Sequence, residues 1–89
     1  MSIAFRDAGP QAPTHTLIIP RSHVESLNQL TDPSMMTDLI TLVQRVALAE
    51  QIADRGYRVV INTHHDGGQS VPHLHLHVLG GRTMRWPPG

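Results

Sequence analysis

Seven histidines occur in 89 residues, and three of them stand in the run His73-Leu74-His75-Leu76-His77-Val78-Leu79. Histidine alternates with an apolar residue at a period of two. Along a β-strand successive side chains leave opposite faces, so His73, His75 and His77 share one face and Leu74, Leu76 and Val78 the other. One face can pack. The other carries imidazoles able to bind anions, move protons or attack an electrophile.

Metal binding is the first chemistry such a row suggests. A tetrahedral zinc site with bonds of about 2.0–2.1 Å holds its ligand nitrogens roughly 3.4 Å apart. On a strand rising about 3.3 Å per residue, His73 and His77 start roughly 13 Å apart. Three histidines in a straight row do not easily converge on one ion. There is no cysteine, and no acidic residue stands at metal-motif spacing. Neither a metal nor another cofactor is expected.

Phosphate chemistry fits better. A neutral imidazole is a competent nucleophile near pH 7, and a phosphoramidate formed on it is labile enough to hydrolyse. The central histidine of the row, flanked by two others, sits in a field suited to a phosphate. Gly67-Gly68-Gln69-Ser70 ends two residues before the row. Glycines let backbone N–H groups approach an anion, and Gln69 and Ser70 add side-chain donors. Alone this tetrapeptide is a weak signal; directly upstream of the histidines it gains weight. The bland alternative for Gly67-Gly68 is a hairpin turn, which is compatible with a phosphate cradle.

These residues need a frame. Ile3-Ala4-Phe5 reads as a strand ended by Arg6-Asp7 and the breakers Gly9 to Pro13. His15 to Pro20 is apolar and β-branched, as in a buried strand. Ser22, with Glu25 three residues on, has the spacing of a capping box for a short helical turn. Asp32-Pro33 looks like an N-cap followed by proline at the first helical position. Met35, Met36, Leu39, Leu42, Val43, Val46, Ala49 and Ala53 then follow helical spacing, which predicts an amphipathic helix from Asp32 to Asp54 ended by Gly56. Tyr57 to Asn62 is a further strand, Thr63 to Ser70 a loop, and Gly80-Gly81 ends the histidine strand. The order β-β-α-β-β predicts an α+β fold, an antiparallel sheet with one long helix packed across it.

Composition bounds the rest. The chain is one small domain, 39% apolar, with one each of Trp, Tyr and Phe and a net charge of zero. That is thin for an autonomous core and favours an oligomer or a fragment of a larger domain. All seven basic residues are arginines, scattered along the chain, so no nucleic-acid polymer is expected as partner. No apolar run of about 18 residues exists and no signal-peptide pattern opens the chain, so it reads as cytoplasmic with no membrane partner.

The motifs together resemble the histidine triad superfamily. His73 to Leu79 is similar to its H-φ-H-φ-H-φ-φ signature, where φ is apolar. Pro10 to His15, Asp66 to Val71, and Val78 to Arg82 with Trp86-Pro87-Pro88-Gly89 resemble the Hint branch, homodimeric purine nucleoside phosphoramidases. The resemblance covers the whole chain, with four motifs in family order. It implies that residues 1–89 form one HIT domain without the family's usual N-terminal helix and hairpin.

The resemblance also implies roles. His75 would be the nucleophile that forms a nucleotidyl-histidine intermediate, with His73 and His77 orienting and polarising around it. His15 would add an imidazole at the phosphate. Ser70 and Gln69 would contact phosphate and leaving group beside Gly68, and Asn62 would lie in the phosphate site. Asp7 would bind the ribose hydroxyls, with apolar residues near it in the nucleoside pocket. Trp86 would reach the partner subunit's active-site rim. The implied activity is hydrolysis of purine nucleoside phosphoramidates by double displacement. A nucleotide-binding module or an inactive fragment is the alternative, because the nucleobase pocket is incomplete. His64 and His65 depart from the small or acidic residues of relatives; both read as solvated loop residues, and His23 as a surface residue at a helix start.

Overall fold

Short apolar, β-branched segments pair into one antiparallel sheet in the computed structural model, which describes all residues from Met1 to Gly89. Strands β1 (Ser2–Arg6), β2 (Thr14–Pro20), β3 (Tyr57–Val60) and β4 (Leu76–Gly80) lie in the order β1-β2-β4-β3. All three pairings are antiparallel. Helix α1 (Pro33–Ala49) packs against β1 and β2. This is the α+β architecture that the sequence predicts. No helix is long and apolar enough to cross a membrane.

Alternation decides which face meets the helix. Ile18 on β2 and Leu76 and Val78 on β4 are buried with Leu39, Val43 and Ala47 of α1, and Leu74 and Ile52 complete the core. The helix begins where its sequence signal lies. The Asp32 carboxylate accepts the Ser34 amide at 3.0 Å, with Pro33 starting the helix.

The helix ends earlier than its apolar stripe suggests, at Ala49 instead of Asp54. Gln51 takes the left-handed conformation at φ 60. Its N–H donates to Leu48 O at 3.2 Å and that of Ile52 to Ala47 O at 3.0 Å, the two bonds of a Schellman cap. The reversal drops Ile52 into the core, 5% exposed, against Gly80, where an added Cβ would stand 2.7 Å from Ile52 Cδ1. Burying that side chain outweighs continuing the helix, and Ala49 and Ala53 are left exposed.

Three smaller boundaries also differ. The capping residue of the short turn is Ser26, not Ser22; its Oγ accepts the Asn28 amide at 3.1 Å and donates to Gln29 Oε1 over a 3₁₀ turn, Leu27–Gln29. Strand β3 stops at Val60. Strand β4 begins at Leu76 instead of His73, because the upstream amides bond elsewhere. His73 N–H donates to Val71 O at 2.8 Å and Leu74 N–H to Val24 O at 2.6 Å. The alternation persists nonetheless, with Leu74 buried and His73 and His75 half-buried.

Candidate functional site

The sheet face opposite α1 carries the polar chemistry, and strand register orders it in rows. Asp7, His15, Leu79 and Arg58 form one row, and Phe5, Leu17, His77 and Val60 the next. Extending the register by two residues adds Ile3, Ile19, His75 and Asn62. The central strands thus carry the imidazoles, and Phe5, 45% exposed, offers an aromatic surface one row position from Leu17.

His75 has a defined proton. Its Nδ1 lies 2.7 Å from the carbonyl oxygen of His73. A carbonyl only accepts, so Nδ1 is the donor, and the neutral ring keeps its lone pair on Nε2. That is the protonation a nucleophile needs. The His77 ring stands edge-on to His75, centroids 5.0 Å apart. Burial, then the neighbouring His75 and His15, lower the His77 pKa below the ordinary histidine value, while Asp7 opposes them.

His15 is buried, and both of its nitrogens are engaged. Nδ1 accepts the Gln11 backbone N–H at 3.0 Å, and Nε2 lies 2.9 Å from His77 Nδ1. The imidazole expected at the phosphate is thus one whose two nitrogens are both paired within the chain. Asp7 Oδ1 accepts the Gly9 amide at 2.7 Å, and Oδ2 lies 3.5 Å from His15 Nε2.

Asp7, His15 and His77 bring polar atoms within 4.8 Å of one another, near enough to surround an ion. Spacing along one strand could not reveal this trio, since separate parts of the chain supply it. The 2.9 Å contact between rings is a hydrogen bond with a proton between the nitrogens. We read the trio as a proton-sharing chain; a cation would have to displace that proton.

The glycine loop is built mainly to hold its own shape. An added Cβ on Gly67 would stand 2.4 Å from Thr63 O, so only glycine fits there. Gly68, at φ 78, donates its N–H to His65 O at 3.0 Å. Gln69 Oε1 accepts the His64 amide at 2.9 Å, and Nε2 donates to Glu25 O and Val71 O at 2.7 and 3.0 Å. Gly68 N–H and the Gln69 side chain, both expected at the phosphate, make hydrogen bonds within the protein. Ser70 is exposed, and Asn62 is half-buried; neither side chain has a hydrogen-bond partner in the chain. Trp86 is 81% exposed, beside Arg58, whose Cζ lies 6.0 Å from its ring.

Two partners escaped the sequence reading. His23 stacks on His73 at 5.0 Å between centroids, with the two Nδ1 atoms 3.0 Å apart. His64, at φ 57, reaches Ser26 Oγ with Nε2 at 3.1 Å. Fifty residues separate His23 from His73, and no local pattern links them.

Comparison with known proteins agrees with this geometry. The HIT domain family pattern matches residues 1–84. The chain is 45% identical over 91 aligned positions to an uncharacterized HIT-like protein of Synechococcus elongatus, covering 100% of this chain and 79% of that one. It is 45% identical over 83 residues to the purine nucleoside phosphoramidase of Escherichia coli, covering 91% and 70%. A HIT family hydrolase of Legionella pneumophila superposes with a TM-score of 0.95 at 47% identity, covering 99% of this chain and 80% of that one. With its paired histidines, its register and its fold all in agreement, the chain belongs to the HIT domain family.

Proposed function

We propose that this protein hydrolyses purine nucleoside phosphoramidates, nucleotides joined to an amine through a P–N bond. One observation carries the reading: the 2.7 Å bond from His75 Nδ1–H to the His73 carbonyl leaves Nε2 as a free nucleophile. In the first displacement His75 Nε2 attacks phosphorus, the P–N bond breaks, and the amine leaves with a proton taken from solvent. In the second, water attacks phosphorus and gives up a proton to solvent, the P–Nε2 bond breaks, and the nucleotide departs. Donors at the phosphoryl oxygens stabilise both transition states. Ser70, Asn62 and His77 are the side chains available for that role. Phe5 and Leu17 offer the apolar surface for the base, and Asp7, one row away, is placed for ribose hydroxyls. The name of the Escherichia coli relative supports this substrate class.

The test is His75→Ala. Turnover of an adenosine phosphoramidate should fall by at least about a thousandfold, the usual loss on removing a nucleophile, while AMP binding stays measurable. Mass spectrometry of quenched wild-type enzyme should find a nucleotidyl adduct on His75. Retained turnover in the variant rules the mechanism out. A second reading, nucleotide binding without turnover, is favoured by the open face of Phe5; it predicts AMP binding by the wild type with neither adduct nor product.

A further inference from the structure

The histidine pair His15–His77 contains more information than its distance. His15 Nδ1 faces the Gln11 backbone N–H at 3.0 Å. A peptide N–H only donates, so Nδ1 must hold a lone pair and the ring proton must sit on Nε2. The opposite side of the ring agrees independently. Asp7 Oδ2, which only accepts, lies 3.5 Å from that same Nε2. The Nε2–H then points to His77 Nδ1 at 2.9 Å, which must accept it. With its Nδ1 occupied, His77 carries its own proton on Nε2, which makes no hydrogen bond within the chain.

We infer that His15 is a positioning residue: the Gln11 backbone N–H fixes its tautomer, and His15 in turn holds His77 as a neutral imidazole whose Nε2–H is the donor offered to ligand. The inference rests on the proposed phosphoryl-transfer reading for its purpose, though not for its geometry. A donor fixed in advance costs no reorganisation when charge develops on a phosphoryl oxygen or a leaving amine. Protonating His77 at Nδ1 would set N–H against N–H across the pair and break one of the two bonds that hold His15.

The groups facing His77 are few. His15 on β2, His75 beside it on its own strand and Asp7, with a carboxylate oxygen within 4.8 Å of a His77 ring nitrogen, are the titratable neighbours, and β3 contributes only Val60 opposite. The lowered His77 pKa follows the same direction. A substitution at His15 that keeps a donor should leave His77 as it is, and one that removes the donor should free its Nδ1.

The experiment is imidazole ¹⁵N NMR on the full chain, labelled at histidine and free of substrate. Wild-type His15 and His77 should both show the Nε2–H tautomer with unprotonated Nδ1. His15→Gln, whose side-chain amide can donate, should keep that His77 signature. His15→Leu should give mixed His77 tautomers and raise its titration midpoint by roughly half a unit or more. A wild-type His77 in the Nδ1–H or mixed form overturns the inference, as does a His77 titration unmoved in His15→Leu. If His15→Leu does not fold, the wild-type tautomers alone decide. None of these signals depends on turnover, so loss of the phosphoramidase reading and loss of this one are told apart. In an active enzyme, His15→Leu should also move the acid limb of kcat/KM to higher pH, with His15→Gln restoring it.

Discussion

At the scale of single residues, proton positions set the chemistry. His75 and His77 lie two residues apart, yet their environments leave the free Nε2 in opposite states: a lone pair on His75, an N–H on His77. The lowered His77 pKa also makes stability depend on pH, and the sign can be worked out. Unfolded, the ring titrates near 6.5; folded, it titrates lower because burial and neighbouring histidines disfavour the cation. Between those values the unfolded chain binds more protons, so stability rises with pH across the window. The contribution is complete above pH 6.5 and is lost as pH falls through the lowered value. Urea denaturation at pH 7.5 and pH 5.5 should show wild type losing stability at the lower pH and His77→Gln losing less. Equal losses in the two proteins would contradict it. The row of histidines was legible in the sequence because period two is a local signal. The hydrogen-bond partners of His15, Gly68 and Gln69 were not, since the fold brings them up: Gln11 and His77 for the first, His65 for the second, Glu25 for the third.

Among the elements, starts were easier to read than stops. Asp32-Pro33 marks the helix start through a side chain that caps its own neighbours, a signal contained in three residues. The stop is a competition. Helical spacing continues to Ala53, yet Ile52 gains more from the core under Gly80 than from a further turn. Gly56 therefore looked like the cap, while the left-handed residue that closes the helix itself is Gln51. A side chain bearing a Cβ is disfavoured there by roughly 1 kcal/mol, partly offset because glycine loses more freedom on folding. Gln51→Gly should accordingly stabilise the protein by about 0.5 kcal/mol, raising Tm by about 2–4 °C for a domain of this size. A lower Tm would mean that the Gln51 side chain contributes more than its backbone strain costs. The histidine strand shows a related limit. Face alternation extends from His73 to Leu79, but sheet pairing starts only at Leu76, because Leu74 N–H is taken by Val24.

At the scale of the whole molecule, the arrangement leaves surface that a small soluble monomer rarely keeps. One helix covers one face of a four-stranded sheet, and only 13 of 89 residues are buried. Phe5, Tyr57, Val71 and Trp86 are each more than a third exposed. Strand β3 forms an edge only four residues long, Tyr57–Val60, whose outer side pairs with nothing in this chain. Exposed apolar patches beyond a few hundred Å² mark interaction surfaces. A second copy is the simplest partner, because a two-fold axis lets the same patch meet itself. We propose a homodimer in which Trp86, beside Arg58 at that edge, lies near the partner's histidine row. Light scattering should then give a mass near twice 9.8 kDa. Trp86→Ala should keep that mass while lowering kcat/KM, since the tail would shape the neighbouring site without carrying the pairing. A folded monomer at micromolar concentration would rule out the dimer. A dimer whose turnover ignores Trp86→Ala would keep the assembly and remove the tail from the site.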